Sequence, residues 1–114
     1  MDTTTRKQEA LYILKVIERG SADREFIGEA RRKFYDLMNA QGCERRDYLD
    51  SVDACLTLSR PANTWWRLEG DDNDPNSLPV PGECSAQIKN AKQEEHYART
   101  LPLAMLTAWW QAQP

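Results

Sequence analysis

Residues 47–58 read DYLDSVDACLTL, and their pattern is that of one amphipathic helix. The apolar residues recur at the i, i+1, i+4, i+7 and i+8 positions of a single helical face: Tyr48, Leu49, Val52, Cys55 and Leu56. Aspartates and a serine mark the opposite face. We therefore predict that residues 48–58 form the central helix of a small helical domain.

Two further helices are predicted on the N-terminal side of this stretch. The first runs from about Arg6 to Arg19 and ends at Gly20, because glycine tolerates the positive φ that commonly closes a helix. The second begins after a cap at Ser21 or Asp23 and ends at Gly42. The short links between these segments favour a three-helix unit over residues 5–60.

The C-terminal half changes character at Pro61. Residues 61–84 are rich in proline, glycine and aspartate without any periodic apolar pattern, which predicts a long loop. A polar fourth helix is expected over residues 86–99. Pro102 at a first turn then begins a short apolar fifth helix. It is interpreted as a lid over the core or as a docking element.

Together these predictions give an all-α fold of about five helices. At 114 residues the chain is long enough for one core and too short for two domains, so residues 1–114 are expected to form a single domain. The three-helix unit is followed by the acidic loop at 61–84 and by two C-terminal helices at 85–114.

Composition disfavours several classes of function. The formal net charge is −3, and residues 1–60 hold 11 basic and 11 acidic side chains, so the acidic surplus lies in residues 61–114. A basic surplus is what phosphate binding usually requires.

No apolar run approaches the roughly 20 residues that span a bilayer, and the N-terminus has no signal-peptide core, so we expect no membrane contact and a cytoplasmic location.

Residues with metal-binding or catalytic potential do not form a recognisable site. Cys43, Cys55, Cys84 and His96 contain none of the close ligand pairs that structural zinc sites use. The single histidine is interpreted as a solvated residue on the polar fourth helix. The chain has no serine elbow and no glycine-rich phosphate loop. We therefore expect no metal, no cofactor and no enzymatic activity.

Two pairs of adjacent tryptophans are the most informative residues. Neighbouring side chains on a helix diverge by about 100°, so one ring of a pair can enter the core while the other stays near the surface. Trp109 fits the apolar face of its helix better, and Trp110 is expected to be exposed. Tryptophan and arginine are enriched at interface hot spots, so Trp65 or Trp66, with Arg67 and Trp110, is predicted to contact a partner. The alternative is that both pairs simply cover a small core.

The carboxylates of the predicted loop suggest the charge of that partner. Asp71, Asp72 and Asp74 lie close together in sequence but lack the spacing of a calcium-binding loop. Complementary potentials speed encounter between proteins, so these aspartates are predicted to face a basic partner surface. A solvated acidic loop without a partner is the alternative.

The second helix supports a different interpretation. It carries Arg31, Arg32 and Lys33 after a short glycine turn, which is similar to a helix-turn-helix, although Glu29 falls where such a motif needs an apolar residue. Acidic residues at helical spacing could instead pair with these cations on a solvent face. The tryptophan and arginine residues could also stack on unpaired bases.

The sequence thus favours a non-enzymatic protein-binding module, a small acidic inhibitor or adaptor of the kind found among accessory proteins of phages and mobile elements. That step rests on an analogy of size and charge. The alternative is a nucleic-acid-binding protein, either helix-turn-helix-like or a helical subunit that binds single strands.

Overall fold

The structure is a computed structural model that describes residues 2–60, 62–69, 84–89 and 95–113. These residues form four helices and a three-stranded antiparallel sheet. The elements are α1 (Thr3–Arg19), α2 (Arg24–Ala40), α3 (Val52–Leu56), β1 (Trp65–Glu69), β2 (Cys84–Lys89), β3 (His96–Ala98) and α4 (Leu101–Gln111). The fold mixes helix and sheet, so the prediction of an all-α bundle of about five helices is wrong.

Three of the predicted helices are confirmed, and their ends follow local sequence signals. Gly20 ends α1 with a φ of 73°, a conformation that favours glycine. The Asp23 carboxylate caps α2 by accepting hydrogen bonds from two backbone N–H groups of its first turn. Thr100 caps α4, and Pro102 lies in the first turn of that helix.

The predicted central helix is much shorter than its apolar pattern indicates. Only Val52–Leu56 is helical, because Ser51 adopts an extended conformation and caps the helix with its side chain. Tyr48 and Leu49 precede it in a turn, yet both are buried. The spacing of apolar residues in this stretch therefore reflects burial and not a continuous helix.

The sheet occupies regions that the sequence assigned to a loop and to a fourth helix. β1 pairs with β2 so that Trp65 lies opposite Lys89, and β2 pairs with β3 so that Cys84 lies opposite Ala98. The predicted helix over residues 86–99 is wrong in its described parts. The rest of the predicted loop, residues 70–83, lies outside the described residues.

The physical reason for this error lies in the period of the sequence. Along β2, the buried Cys84, Ala86 and Ile88 alternate with polar residues, which is the period of two that a strand with one covered face requires. Four of the five buried residues in β2 and β3 are small, namely Cys84, Ser85, Ala86 and Ala98, so the apolar signal of a strand is weak. The scarcity of apolar residues that predicts a polar helix instead reflects strands with one apolar and one polar face.

Helix α4 is the centre of the core. Nine of its 11 residues are buried, because α4 packs on the sheet and also contacts α1 and α3. Trp110 is completely buried and Trp109 nearly so, which makes the prediction of an exposed Trp110 wrong. Among the described residues, no helix combines the length and apolarity needed to cross a membrane.

Candidate functional site

The two faces of the sheet have different environments. Side chains on the inner face belong to the core or pack against it, and α4 covers them: Trp66, Leu68, Ala86, Ile88 and Ala98. Side chains on the outer face alternate with these along each strand: Trp65, Arg67, Glu69, Ser85, Gln87, Lys89 and Tyr97. We call this second set, together with the adjoining Glu95, the outer sheet face.

Two large aromatic side chains of the outer sheet face are exposed to solvent. Trp65 is 54% exposed and Tyr97 is 60% exposed. They lie on the two edge strands, and the register offsets Tyr97 from Trp65 by four residues along the sheet. Strand spacing and rise place these positions about 16 Å apart. The two rings are therefore separate exposed points on the outer sheet face.

Tyr97 is held by a small hydrogen-bond network. The Ser85 hydroxyl donates to Glu95 Oε1 at 2.7 Å, and the Tyr97 hydroxyl donates to Glu95 Oε2 at 3.1 Å. The Ser85 hydrogen bond lowers the pKa of Glu95 from its ordinary value, whereas the hydrogen bond to Glu95 raises the pKa of Tyr97. At neutral pH the network therefore contains a carboxylate anion and a protonated tyrosine.

Charges on the outer sheet face are separated along the strands. At one end, Lys89 lies opposite Trp65. At the other end, Glu69 lies opposite Ser85, whose hydroxyl binds Glu95. Arg67 lies between the two ends and forms an ion pair with Glu69 at 2.9 Å. The surface thus has a cationic end and an anionic end.

The structure brings together only part of the predicted contact set. Trp65 and Arg67 are exposed on the outer sheet face, whereas Trp66 turns inward and is partly buried. Trp110 lies in the core. The other three predicted residues, Asp71, Asp72 and Asp74, lie outside the described residues.

Three residues of the outer sheet face are missed by sequence reasoning, because only strand pairing places them on the same face as Trp65. Lys89, Glu95 and Tyr97 were assigned to a polar helix, where Tyr97 counted as one of few apolar residues. The alternation of apolar and polar residues along β2 is the available signal in the sequence, and it spans only six positions.

Helix α2 lacks the packing that a helix-turn-helix requires. Phe26 occupies a position that such a motif would pack against the preceding helix, and it is 50% exposed. Arg31, one of the predicted phosphate contacts, forms an ion pair with Asp50. The first observation argues against a helix-turn-helix, and the second pairs Arg31 with a residue outside α2.

The thiols are structural in character. All three cysteines are free, and burial raises the pKa of the Cys55 thiol to about 12 and also raises that of Cys43. A thiol with a raised pKa is a poor nucleophile at neutral pH. Within the described ranges, no three histidine, cysteine, aspartate or glutamate residues form a group that could hold a metal ion.

Comparisons of this chain with protein families, with curated proteins and with solved structures give no match. Function must therefore follow from the side chains and their geometry.

Proposed function

We propose that this chain is a non-enzymatic protein-binding module and that the outer sheet face is its contact surface. The observation that carries the proposal is the exposure of Trp65 and Tyr97 on one sheet. Aromatic side chains are enriched at interface hot spots because they bury a large area and lose few rotatable bonds. The sheet lies on the α4 core, so these residues are held in place before binding, which lowers the entropic cost of association.

The charge of the surface favours a partner protein with a basic region. Glu69 and Glu95 form the anionic end of the outer sheet face, and the sequence continues from Glu69 into Asp71, Asp72 and Asp74. With a net charge of −3, the chain would be attracted to a basic surface before contact. We propose that it acts as a small acidic inhibitor or adaptor, as accessory proteins of phages do.

A cytoplasmic location belongs to the same proposal. All three cysteines, Cys43, Cys55 and Cys84, carry free thiols, which suits a reducing compartment.

A second candidate is the binding of single-stranded nucleic acid. It is favoured by Trp65, an exposed aromatic ring that lies opposite Lys89 on an open sheet, since such rings stack on bases while cations contact phosphates. Glu69 and Glu95 on the same face would repel phosphates. This repulsion makes protein binding the better supported function.

The first test is quantitative capture from a lysate with matched variants. Wild-type chain, Trp65→Ala and Tyr97→Ala are each immobilised, and Tyr12→Ala serves as the control because Tyr12 is 69% exposed and belongs to α1, not to the sheet. We expect one set of proteins to be captured by the wild type and the control and to be lost with both sheet variants. A set that all four chains retain, or that Tyr12→Ala alone loses, would refute the outer sheet face as the contact surface.

The second test separates the two candidates. Labelled single-stranded DNA and RNA are titrated with the wild-type chain at low salt, where any phosphate-dominated interaction is strongest. Protein binding as the sole function predicts no saturable change in fluorescence anisotropy. Saturable binding that Trp65→Ala abolishes would instead support the nucleic-acid candidate.

A further inference from the structure

A cleft of about 630 Å³ lies between the C-terminal half of α2 and residues 43–48, remote in sequence from the outer sheet face. Its volume falls within the range of small-molecule binding sites. The partly buried ring of Tyr35 contributes apolar surface to its lining, whereas Met38 and Tyr48 are only 1% and 2% exposed. The cleft therefore offers both volume and an apolar surface to a small ligand.

Hydrogen bonds fix the lining of this cleft. The Cys43 N–H donates to the carbonyl of Met38 at 3.0 Å, directly after Gly42 turns the chain with a φ of 89°. The Tyr48 hydroxyl donates to the carbonyl of Glu44. The Tyr35 hydroxyl accepts the Leu49 N–H at 3.2 Å, which ties α2 to the chain beyond the cleft. These bonds fix the backbone and the two tyrosines of the lining, whereas its charged side chains are exposed to solvent.

Two cations and two anions of the cleft lining form no ion pair within the described residues. Helix α2 contributes Arg32 and Asp36, and the 43–48 segment contributes Arg45 and Asp47. In the part of the chain that the structure describes, none of these four side chains takes part in a hydrogen bond or an ion pair. Arg32 and Asp36 are four residues apart on one helix, a spacing that permits pairing, and they do not pair.

The remaining two charges of the cleft neutralise one another. Arg46 forms an ion pair with Glu44 at 2.9 Å. With that pair set aside, the lining has two guanidinium groups and two carboxylates, and its formal charge is zero. A polyphosphate or a nucleic-acid backbone would meet as many anions as cations here. A ligand that carries one charge of each sign matches the lining better.

We propose that this cleft binds a small zwitterion, an α-amino acid with an apolar side chain. Arg32 and Arg45 bind the ligand carboxylate, because guanidinium groups form charge-assisted and often bidentate hydrogen bonds with carboxylates. Asp36 and Asp47 accept hydrogen bonds from the ligand ammonium group. The apolar side chain of the ligand lies against Tyr35 and its neighbours. This site is independent of the proposed protein-binding surface.

The test is an NMR titration of the isotopically labelled full chain with three probes. Phenylalanine carries both charges, 3-phenylpropionate carries only the carboxylate, and phenethylamine carries only the ammonium group. We expect saturable shifts of backbone amides in residues 32–48 with phenylalanine, and binding about tenfold weaker or more with either other probe, because each lacks one set of charge-assisted hydrogen bonds.

Substitutions in the cleft test which residues bind the carboxylate of the ligand and which bind its ammonium group. Arg32→Gln combined with Arg45→Gln should weaken phenylalanine binding about tenfold or more, whereas Arg24→Gln, on the same helix but outside the lining, should leave it unchanged. Asp47→Asn should weaken the binding of phenylalanine but not that of 3-phenylpropionate. An unchanged backbone spectrum elsewhere shows that each variant is folded.

Three results would overturn the proposal. These are the absence of saturable shifts with phenylalanine at millimolar concentration, equal affinity for phenylalanine and 3-phenylpropionate, and unchanged affinity in the double arginine variant.

Discussion

The two pairs of adjacent tryptophans differ in how they are exposed to solvent. Trp109 and Trp110 are both buried in α4, where their rings pack edge to face with centroids 5.1 Å apart. Trp65 and Trp66 point to opposite faces of the sheet from β1. Trp65 is more than half exposed on the outer sheet face, and Trp66 packs inward. Adjacent tryptophans in a sequence therefore do not reveal their own exposure.

The difference arises from what covers each element. Side chains on a strand alternate by about 180°, and among the described residues α4 packs against one face of this sheet, so Trp65 and Trp66 point to different environments. Neighbours on a helix diverge by about 100°, but α4 has the sheet on one side and α1 and α3 on others, so both members of its pair are buried. Periodicity within an element sets the directions of side chains, and only the surrounding fold sets their burial.

The largest expected effect is that of Trp110→Ala. Removal of a completely buried tryptophan loses apolar burial and leaves a cavity, so the free energy of unfolding should fall by about 3–5 kcal/mol. A small domain has only about 5–15 kcal/mol in total, and a large part of the chain could unfold. Chemical denaturation followed by circular dichroism measures the change. A loss below about 1 kcal/mol would mean that Trp110 lies at the surface, as its sequence alone suggests.

An intermediate effect is expected for Trp66→Ala. The side chain packs against the core from the inner face of the sheet and is only partly buried, so its truncation should lower the free energy of unfolding by about 2 kcal/mol. The same denaturation experiment gives the value. Equal losses in the free energy of unfolding for Trp66→Ala and Trp65→Ala would mean that the two side chains do not lie on opposite faces of the sheet.

Trp65→Ala should leave stability nearly unchanged and weaken partner binding. An exposed side chain contributes little to folding, and we expect a change within about 0.5 kcal/mol in the free energy of unfolding. Loss of an interface hot spot should raise the Kd for a captured partner about tenfold or more. Titration calorimetry provides the Kd, with Tyr12→Ala as the control for loss of an exposed aromatic ring.

The smallest expected effect concerns pH and Glu95. Because the Ser85 hydrogen bond lowers the pKa of Glu95 in the folded chain, the interaction stabilises the fold above the ordinary glutamate pKa of 4.5. That contribution should disappear as pH falls from there through the lowered pKa. Denaturation of the wild type and of Glu95→Gln between pH 7 and pH 3 should show a stability difference that shrinks in acid. A difference that is constant or grows as pH falls would contradict the hydrogen-bonded carboxylate.

Local signals in the sequence predict the helices well. The ends of α1, α2 and α4 follow from Gly20, Asp23, Thr100 and Pro102, because caps and breakers act within one turn of the helix. Residues 48–50 are the exception, since Ser51 caps a shorter helix and leaves the buried Tyr48 in a turn.

The sheet could not be predicted in the same way, because strand pairing joins distant residues. Trp65 and Lys89 are 24 positions apart in sequence, and only the register of β1 with β2 places them opposite each other. For the candidate site, Trp65 and Arg67 were predicted as contact residues on the grounds of residue type. Tyr97 was missed because its position on the same face depends on pairing between β2 and β3.

Hydroxyl-radical footprinting of the free chain and of its complex with a captured partner tests the central claim most directly, because it reports each aromatic side chain separately. In the free chain, Trp65 and Tyr97 should be oxidised rapidly and Trp109 and Trp110 slowly. Addition of the partner should protect Trp65 and Tyr97 while Tyr12 stays reactive. The outer sheet face is refuted as the contact surface if the partner protects Tyr12 and leaves Trp65 as reactive as before.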